Sequence, residues 1–145
     1  MTLSDLTDLW CESALLSNAL DRLPAHVQIH RAAPPDPLAN AGAAQAILAG
    51  SGIRYDTTVF DQLPRLRVLV RTGIGIDNVD VAAATAHGVL FCNTPDGPTE
   101  STAEHTVALM LAVLKRLKQG NDHLIAGRFS PREVPVGNEA LGKTL

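Results

Sequence analysis

The sequence predicts an α/β domain built on a doubly wound parallel sheet, and three observations predict it. Short apolar runs alternate with segments of helical period along most of the chain. Three of those runs, residues 44–49, 66–70 and 89–92, lead into glycine or asparagine, as strands do where their C-terminal ends open onto loops. The composition, 46% hydrophobic with only 3% aromatic residues, suits a helix-covered parallel sheet better than an antiparallel sandwich. At 145 residues the chain can bury a substantial core.

Residues 6–11 form the expected first strand, the least convincing of the set because Asp8 and its polar neighbours interrupt it. Leu15, Leu16, Ala19, Leu20 and Leu23 recur at helical spacing, and Pro24 closes that segment. Residues 27–30 alternate as a short strand and run into Ala-Ala-Pro-Pro-Asp-Pro. Prolines at 34, 35 and 37 forbid regular structure there and put a loop at the sheet edge. Residues 44–49, apolar apart from Gln45, break at Gly50-Ser51-Gly52, and residues 66–70 break at Gly73. Residues 80–87 read as a helix closed by Gly88, before residues 89–92 run into Asn93-Thr94-Pro95.

Ser101-Thr102-Ala103-Glu104 has the spacing of a capping box and opens an apolar helix that turns basic at Lys115, Arg116 and Lys118. Ala108, Leu109, Ala112 and Val113 make the second side of this helix apolar too, so it needs burial all round, against a second domain or a second copy of the chain. Beyond Gly120 the pattern gives way to an irregular tail with Gly127, Pro131, Pro135 and Gly137. The order is that of a flavodoxin-like, three-layer domain with a long C-terminal apolar helix over residues 1–120, followed by a linker over residues 121–145.

Charge and composition exclude several classes. Twelve basic against fifteen acidic residues give a formal charge of -3, with no basic cluster to track a phosphate backbone, so nucleic acid is not an expected partner. The longest apolar run, residues 107–114, is far short of a membrane span, and no membrane is expected. The first ten residues carry acids and no basic n-region, unlike a secretory signal, and the expected location is cytoplasmic. Cys11 and Cys92 lie in apolar runs, where cysteine behaves as a small hydrophobe rather than as a disulfide or reactive thiol. No spacing among Asp77, Asp80, Asp96, Glu100 and Glu104 matches a metal signature. Acids before helices serve as caps, so no metal is expected.

The residues themselves point to an anion site. In an open parallel sheet, ligands bind beyond the carboxyl ends of the strands, where this chain places residues 50–53, 73–75 and Asn93. The amides of residues 51–53 and of the Gly73 turn could hold a carboxylate, with Asn93 adding a side-chain amide; the competing reading is that these glycines only end strands. Gly137-Asn-Glu-Ala-Leu-Gly142-Lys143-Thr144 spells a phosphate loop. A working one needs a helix directly after it, and only Leu145 follows, so the spelling is read as accidental.

Arg71-Thr-Gly-Ile-Gly-Ile-Asp-Asn78, Ala82-Ala-Ala-Thr85, Gly88, Asn93-Thr-Pro95 and Ala103-Glu-His105 together resemble the D-isomer-specific 2-hydroxyacid dehydrogenases, the family that includes phosphoglycerate and glycerate dehydrogenases. The resemblance implies that Ser51, Gly52, Ile53, Gly73 and Asn93 face a substrate carboxylate, and that Ile74 and Thr102 face a nicotinamide. It implies NAD or NADP in the complete enzyme, with no tight cofactor binding by this chain. Members continue from a segment like residues 142–145 into a nucleotide-binding domain, so the chain is expected to be cut before it. The family's catalytic histidine, its paired glutamate and a substrate-gripping arginine lie beyond that domain; His105 is not that base, and no catalytic residue is expected here. Gly50 stands where phosphoglycerate-handling members carry an arginine, Ile74 replaces a common threonine and Phe129 a usual tryptophan. The implied substrate is therefore a small, unphosphorylated 2-hydroxy or 2-keto acid.

The expected function is the substrate-binding part of an NAD(P)-dependent enzyme interconverting a D-2-hydroxy acid and its 2-keto acid, inactive alone and paired as a homodimer. The alternative is a stand-alone module that binds or senses a small carboxylate without catalysis.

Overall fold

A computed structural model describes residues 3–12, 20–128, 130, 132–133 and 135–144. The chain divides into two compact units, Met1–Gly97 and Pro98–Leu145. Among its described residues the first contains five strands, β1 (Asp8–Cys11), β2 (Gln28–Arg31), β3 (Ala46–Ala49), β4 (Val68–Arg71) and β5 (Leu90–Asn93), and two short α-helices, α1 (Thr57–Asp61) and α2 (Val81–Ala86). All four strand pairings are parallel, and the sheet order is β2-β1-β3-β4-β5. The expected parallel α/β sheet is therefore present.

Side-chain alternation along these strands gives each face its own core. One row crosses the sheet through the register partners Trp10, Ile47, Leu69 and Phe91, and it packs with Phe60 of α1 and Ala83 and Ala84 of α2. The opposite face gathers Leu9, Cys11 and Ala46 against Leu6 and Leu20, with Leu23, Val27, Leu48 and Val68 partly buried beside them. Burying one such Leu or Ile side chain is worth about 1.5–3 kcal/mol. Trp10 is fully buried, and its indole donates to the Ala39 carbonyl at 2.9 Å, so its polar atom is not stranded.

The first strand tolerates Asp8 because that residue begins it and has partners. Thr7 Oγ1 donates to Asp8 Oδ2 at 2.7 Å, and His30 Nε2 lies 2.9 Å from Oδ1. The Thr7 hydroxyl, and then His30, hold the Asp8 carboxyl below its ordinary range. The helix expected around residues 15–23 falls largely outside the described residues; Leu20 within it is buried. Phe129 and Pro131 lie outside them too. Helix α1 has no counterpart in the sequence reading, although Asp56 is its N-cap and accepts from the Val59 amide at 3.2 Å. Asp80 caps α2 through the Ala83 amide at 2.9 Å, and Gly88 follows with φ +68°. Cys11 is buried as expected, whereas Cys92 is exposed: among the described residues, the face of edge strand β5 that carries it and Leu90 meets no core cluster.

The second unit holds α3 (Thr99–Leu114) and α4 (Leu117–Ile125), which contact one another. Two expectations fail here. The helix starts at Thr99 after Pro98, so Ser101 lies inside its first turn and donates to the Pro98 carbonyl at 3.2 Å instead of capping with Glu104. The residues after Leu114 are also not one continuing helix and an irregular tail. Arg116, at φ +52°, breaks the chain direction, and α4 then runs through Gly120 to Ile125. Residues 135–144 are irregular, with Asn138 donating to the Leu114 carbonyl at 2.7 Å. A Cβ at Gly137 would stand 2.7 Å from the Lys115 Cα, so the first glycine of the phosphate-loop spelling packs on a helix C-terminus, the wrong pole for an anion. Among the described residues no helix is long and apolar enough to cross a membrane, and no cluster of three or more His, Cys, Asp or Glu could hold a metal.

Candidate functional site

Parallel strands deliver their C-terminal ends to one edge of the sheet, and there Glu12 and residues 50–53 follow β1 and β3, Arg71 ends β4 with residues 72–75 after it, and Asn93 ends β5. The chain reverses direction across the sheet between β1 and β3, the switch point where doubly wound folds bind ligands. Of the residues singled out from the sequence, Ser51, Gly52, Ile53, Gly73, Ile74 and Asn93 all lie along this edge. Thr102 belongs to the second unit, in the first turn of α3, where its amide donates to the Pro98 carbonyl at 2.9 Å.

The turn after β4 is built by hydrogen bonds on both sides. Thr72 donates from its amide and its hydroxyl to the Ala49 carbonyl at 2.9 and 3.1 Å. Thr94 N donates to Gly73 O at 3.1 Å, and Asn93 Nδ2 donates to Ile74 O at 3.0 Å. Gly73 has φ +153°, a conformation L side chains rarely adopt, and a Cβ there would stand 2.8 Å from Arg71 Nη1. Asn93 is thus a brace of the turn through its side-chain amide. Among the described hydrogen bonds, the amides of Ile74 and Gly75 have no acceptor in the chain, and Ile74 is 52% exposed.

Asn78 ties this turn to the loop after β3. Its Nδ2 donates to the Gly50 and Ile53 carbonyls at 3.2 and 2.8 Å, while its Oδ1 accepts from Arg71 Nε at 3.3 Å. The Arg71 guanidinium also donates through Nη1 to the Thr72 carbonyl at 2.7 Å, so a fixed positive charge stands at the base of the turn. Asn78 thereby orders the glycine turn.

The loop after β3 differs from the expected open nest. Its amides at Gly50, Gly52 and Ile53 donate to the Glu12 carboxylate at 2.7, 2.6 and 3.1 Å, and Tyr55 Oη donates to it at 2.9 Å. Burial, and then the neighbouring Glu12 charge, push the Tyr55 phenol well above its ordinary pKa, which keeps it a donor. Sequence reasoning missed Glu12 and Tyr55. The one local signal was an acid placed directly after the apolar run of the first strand; its partner glycines are 38 or more residues away.

Comparison with known proteins identifies the family. The curated relatives include D-3-phosphoglycerate dehydrogenases of Bacillus subtilis, 37% identical over 100 residues that make 69% of this chain and 19% of that protein, and of Mycobacterium leprae, 40% identical over 102 residues, 70% and 19%. The chain therefore spans about a fifth of the relatives it matches. Among solved structures, a Thermus thermophilus protein superposes with a TM-score of 0.80 at 30% identity, covering 91% of this chain and 45% of the other. An NADPH-dependent glyoxylate/hydroxypyruvate reductase from Sinorhizobium meliloti, solved with NADP and malonate, gives 0.70 at 28% identity, covering 94% and 43%. The profile of the D-isomer specific 2-hydroxyacid dehydrogenase catalytic domain matches residues 10–141, and the chain belongs to that family.

Proposed function

We propose that this chain forms the substrate-binding part of an NAD- or NADP-dependent enzyme that interconverts a small D-2-hydroxy acid and its 2-keto acid. The observation that carries the reading is the turn at residues 73–75: among the described hydrogen bonds the Ile74 and Gly75 amides are unclaimed, at a strand end, beside the Arg71 charge. The ligand's carboxylate is received by these amides. Ser51 and Asn93 flank it from neighbouring strand ends, with Gly52 and Ile53 contributing wall, since their amides serve Glu12. An unphosphorylated acid fits best, because Gly50 brings no cation to this edge.

The residues present fit a nicotinamide in part. Ile74 offers an exposed apolar side chain, but its turn is not an amide cradle for a pyrophosphate, so tight NAD(P) binding there is not expected. When bound, that group supplies the hydride acceptor or donor. The work of this chain is to orient the acid and exclude water. The two apolar sides of α3 serve assembly: Leu109 and Val113, 54% and 76% exposed, form part of a face that a second copy covers in a homodimer.

Titrating the 15N-labelled chain with pyruvate tests the site. Saturable shifts are expected at the Ile74 and Gly75 amides, and Gly73→Val, which conflicts with the backbone at this turn, should remove them. Shifts scattered elsewhere, or indifferent to the substitution, would overturn the reading.

A further inference from the structure

Glu12 places a carboxylate where loop amides converge. Its Oε1 accepts from Gly52 N and Ile53 N at 2.6 and 3.1 Å, and its Oε2 from Gly50 N and Tyr55 Oη at 2.7 and 2.9 Å. Loop amides turned onto one point make an anion-binding concavity, and this one lies at the β1/β3 switch point. The anion that fills it belongs to the chain itself. The backbone is fitted closely to it, because a Cβ at Gly50 would stand 3.2 Å from Glu12 Oε1 and one at Gly52 2.9 Å.

We propose that Glu12 is a built-in anion that closes the loop at residues 50–53 to any anionic group of a ligand. The domain then accepts a ligand with one anionic group, held at residues 73–75, and rejects one that carries a second, such as a phosphate. Glu12 is in this sense a specificity-determining residue acting by exclusion. A ligand phosphate would need the same N–H donors and would meet the Glu12 carboxylate as a like charge. A tethered carboxylate also acts at an effective concentration of roughly millimolar or more, which a free anion at ordinary concentration does not match. The ligand class rests on the function proposed above, whereas the occupation of the loop does not.

The 15N-labelled chain and its Glu12→Ala variant are titrated with inorganic phosphate at constant ionic strength. In the wild type the Gly50, Gly52 and Ile53 amides should stay unmoved to about 50 mM phosphate, and in Glu12→Ala they should shift saturably, a gain of at least ~10-fold in affinity. Should the alanine variant lose its dispersed spectrum, Glu12→Gln removes the charge at nearly constant size and is expected to show the same gain. Saturable phosphate shifts at these amides in the wild type would overturn the proposal, and so would a folded variant that does not respond. If neither variant folds, the wild-type titration decides alone. A failure of pyruvate to move Ile74 and Gly75 would count against the function proposed above and leave the phosphate result standing.

Discussion

His87 shows how a single side chain can make stability depend on pH. Its Nδ1 faces the Ala83 carbonyl at 2.8 Å and its Nε2 faces Asp61 Oδ1 at 3.0 Å, so both ring nitrogens have acceptors and the doubly protonated ring satisfies both. The Asp61 carboxylate, and then the Ala83 carbonyl, raise the His87 pKa above its ordinary value. The folded state therefore binds this proton more tightly than the unfolded chain does. The resulting stability is fully present below the ordinary histidine value of about 6.5 and fades as pH rises through the raised folded-state midpoint. An NMR titration of the ring should place its midpoint above the ordinary histidine value of about 6.5, and Asp61→Asn should bring it down. A His87 midpoint at or below about 6.5 would show that the two contacts do not favour the charged ring in solution.

Each short helix of the first unit depends on its cap, because an element of five or six residues cannot sustain itself. Asp80 satisfies the Ala83 amide at the start of α2, and α2 carries Ala83 and Ala84 into the core beside Leu69. Asp80→Ala should lower stability by about 1 kcal/mol, read as a drop in the urea midpoint at unchanged slope. An unchanged midpoint would mean that core packing of the two alanines alone holds α2 in place. In the second unit the comparable control is a break rather than a cap. Arg116 in the left-handed region ends one helix direction before Leu117 begins another, which an apolar pattern read along a single helix axis could not reveal.

At the scale of the molecule the open question is what covers α3. None of its described residues is buried, and Val107, Leu109, Leu111 and Val113 are exposed apolar side chains. Burying apolar surface is worth roughly 25 cal/mol per Å², and a patch of several hundred Å² is uncommon on a monomer. Analytical ultracentrifugation should find the chain self-associated at about 100 μM, well above the ~1 μM scale of a modest interface, and should find Leu109→Lys monomeric. A wild-type chain that stays monomeric would remove the homodimer from the proposed function.

The parallel sheet was legible in the sequence because strands buried on both faces must be apolar along their length, and β1, β3 and β4 are nearly so. The family was legible because Arg71 to Asn78 is a local motif whose glycines and Asn78 act within a few residues of one another or against adjacent strand ends. Spacing can also mislead: Ser101 and Glu104 have the spacing of a capping box, yet the helix has already begun at Thr99. What the tertiary structure alone decided is the state of the anion nest. Residues 50–53 spell an open glycine loop, and only the parallel pairing of β1 with β3 carries Glu12 across 38 residues of chain to fill it. The sequence by itself determined which strands form and where their loops open. Which side chain from a distant strand enters such a loop is a matter of register and strand order, because a hydrogen bond between residues far apart in the chain leaves no local pattern at either end.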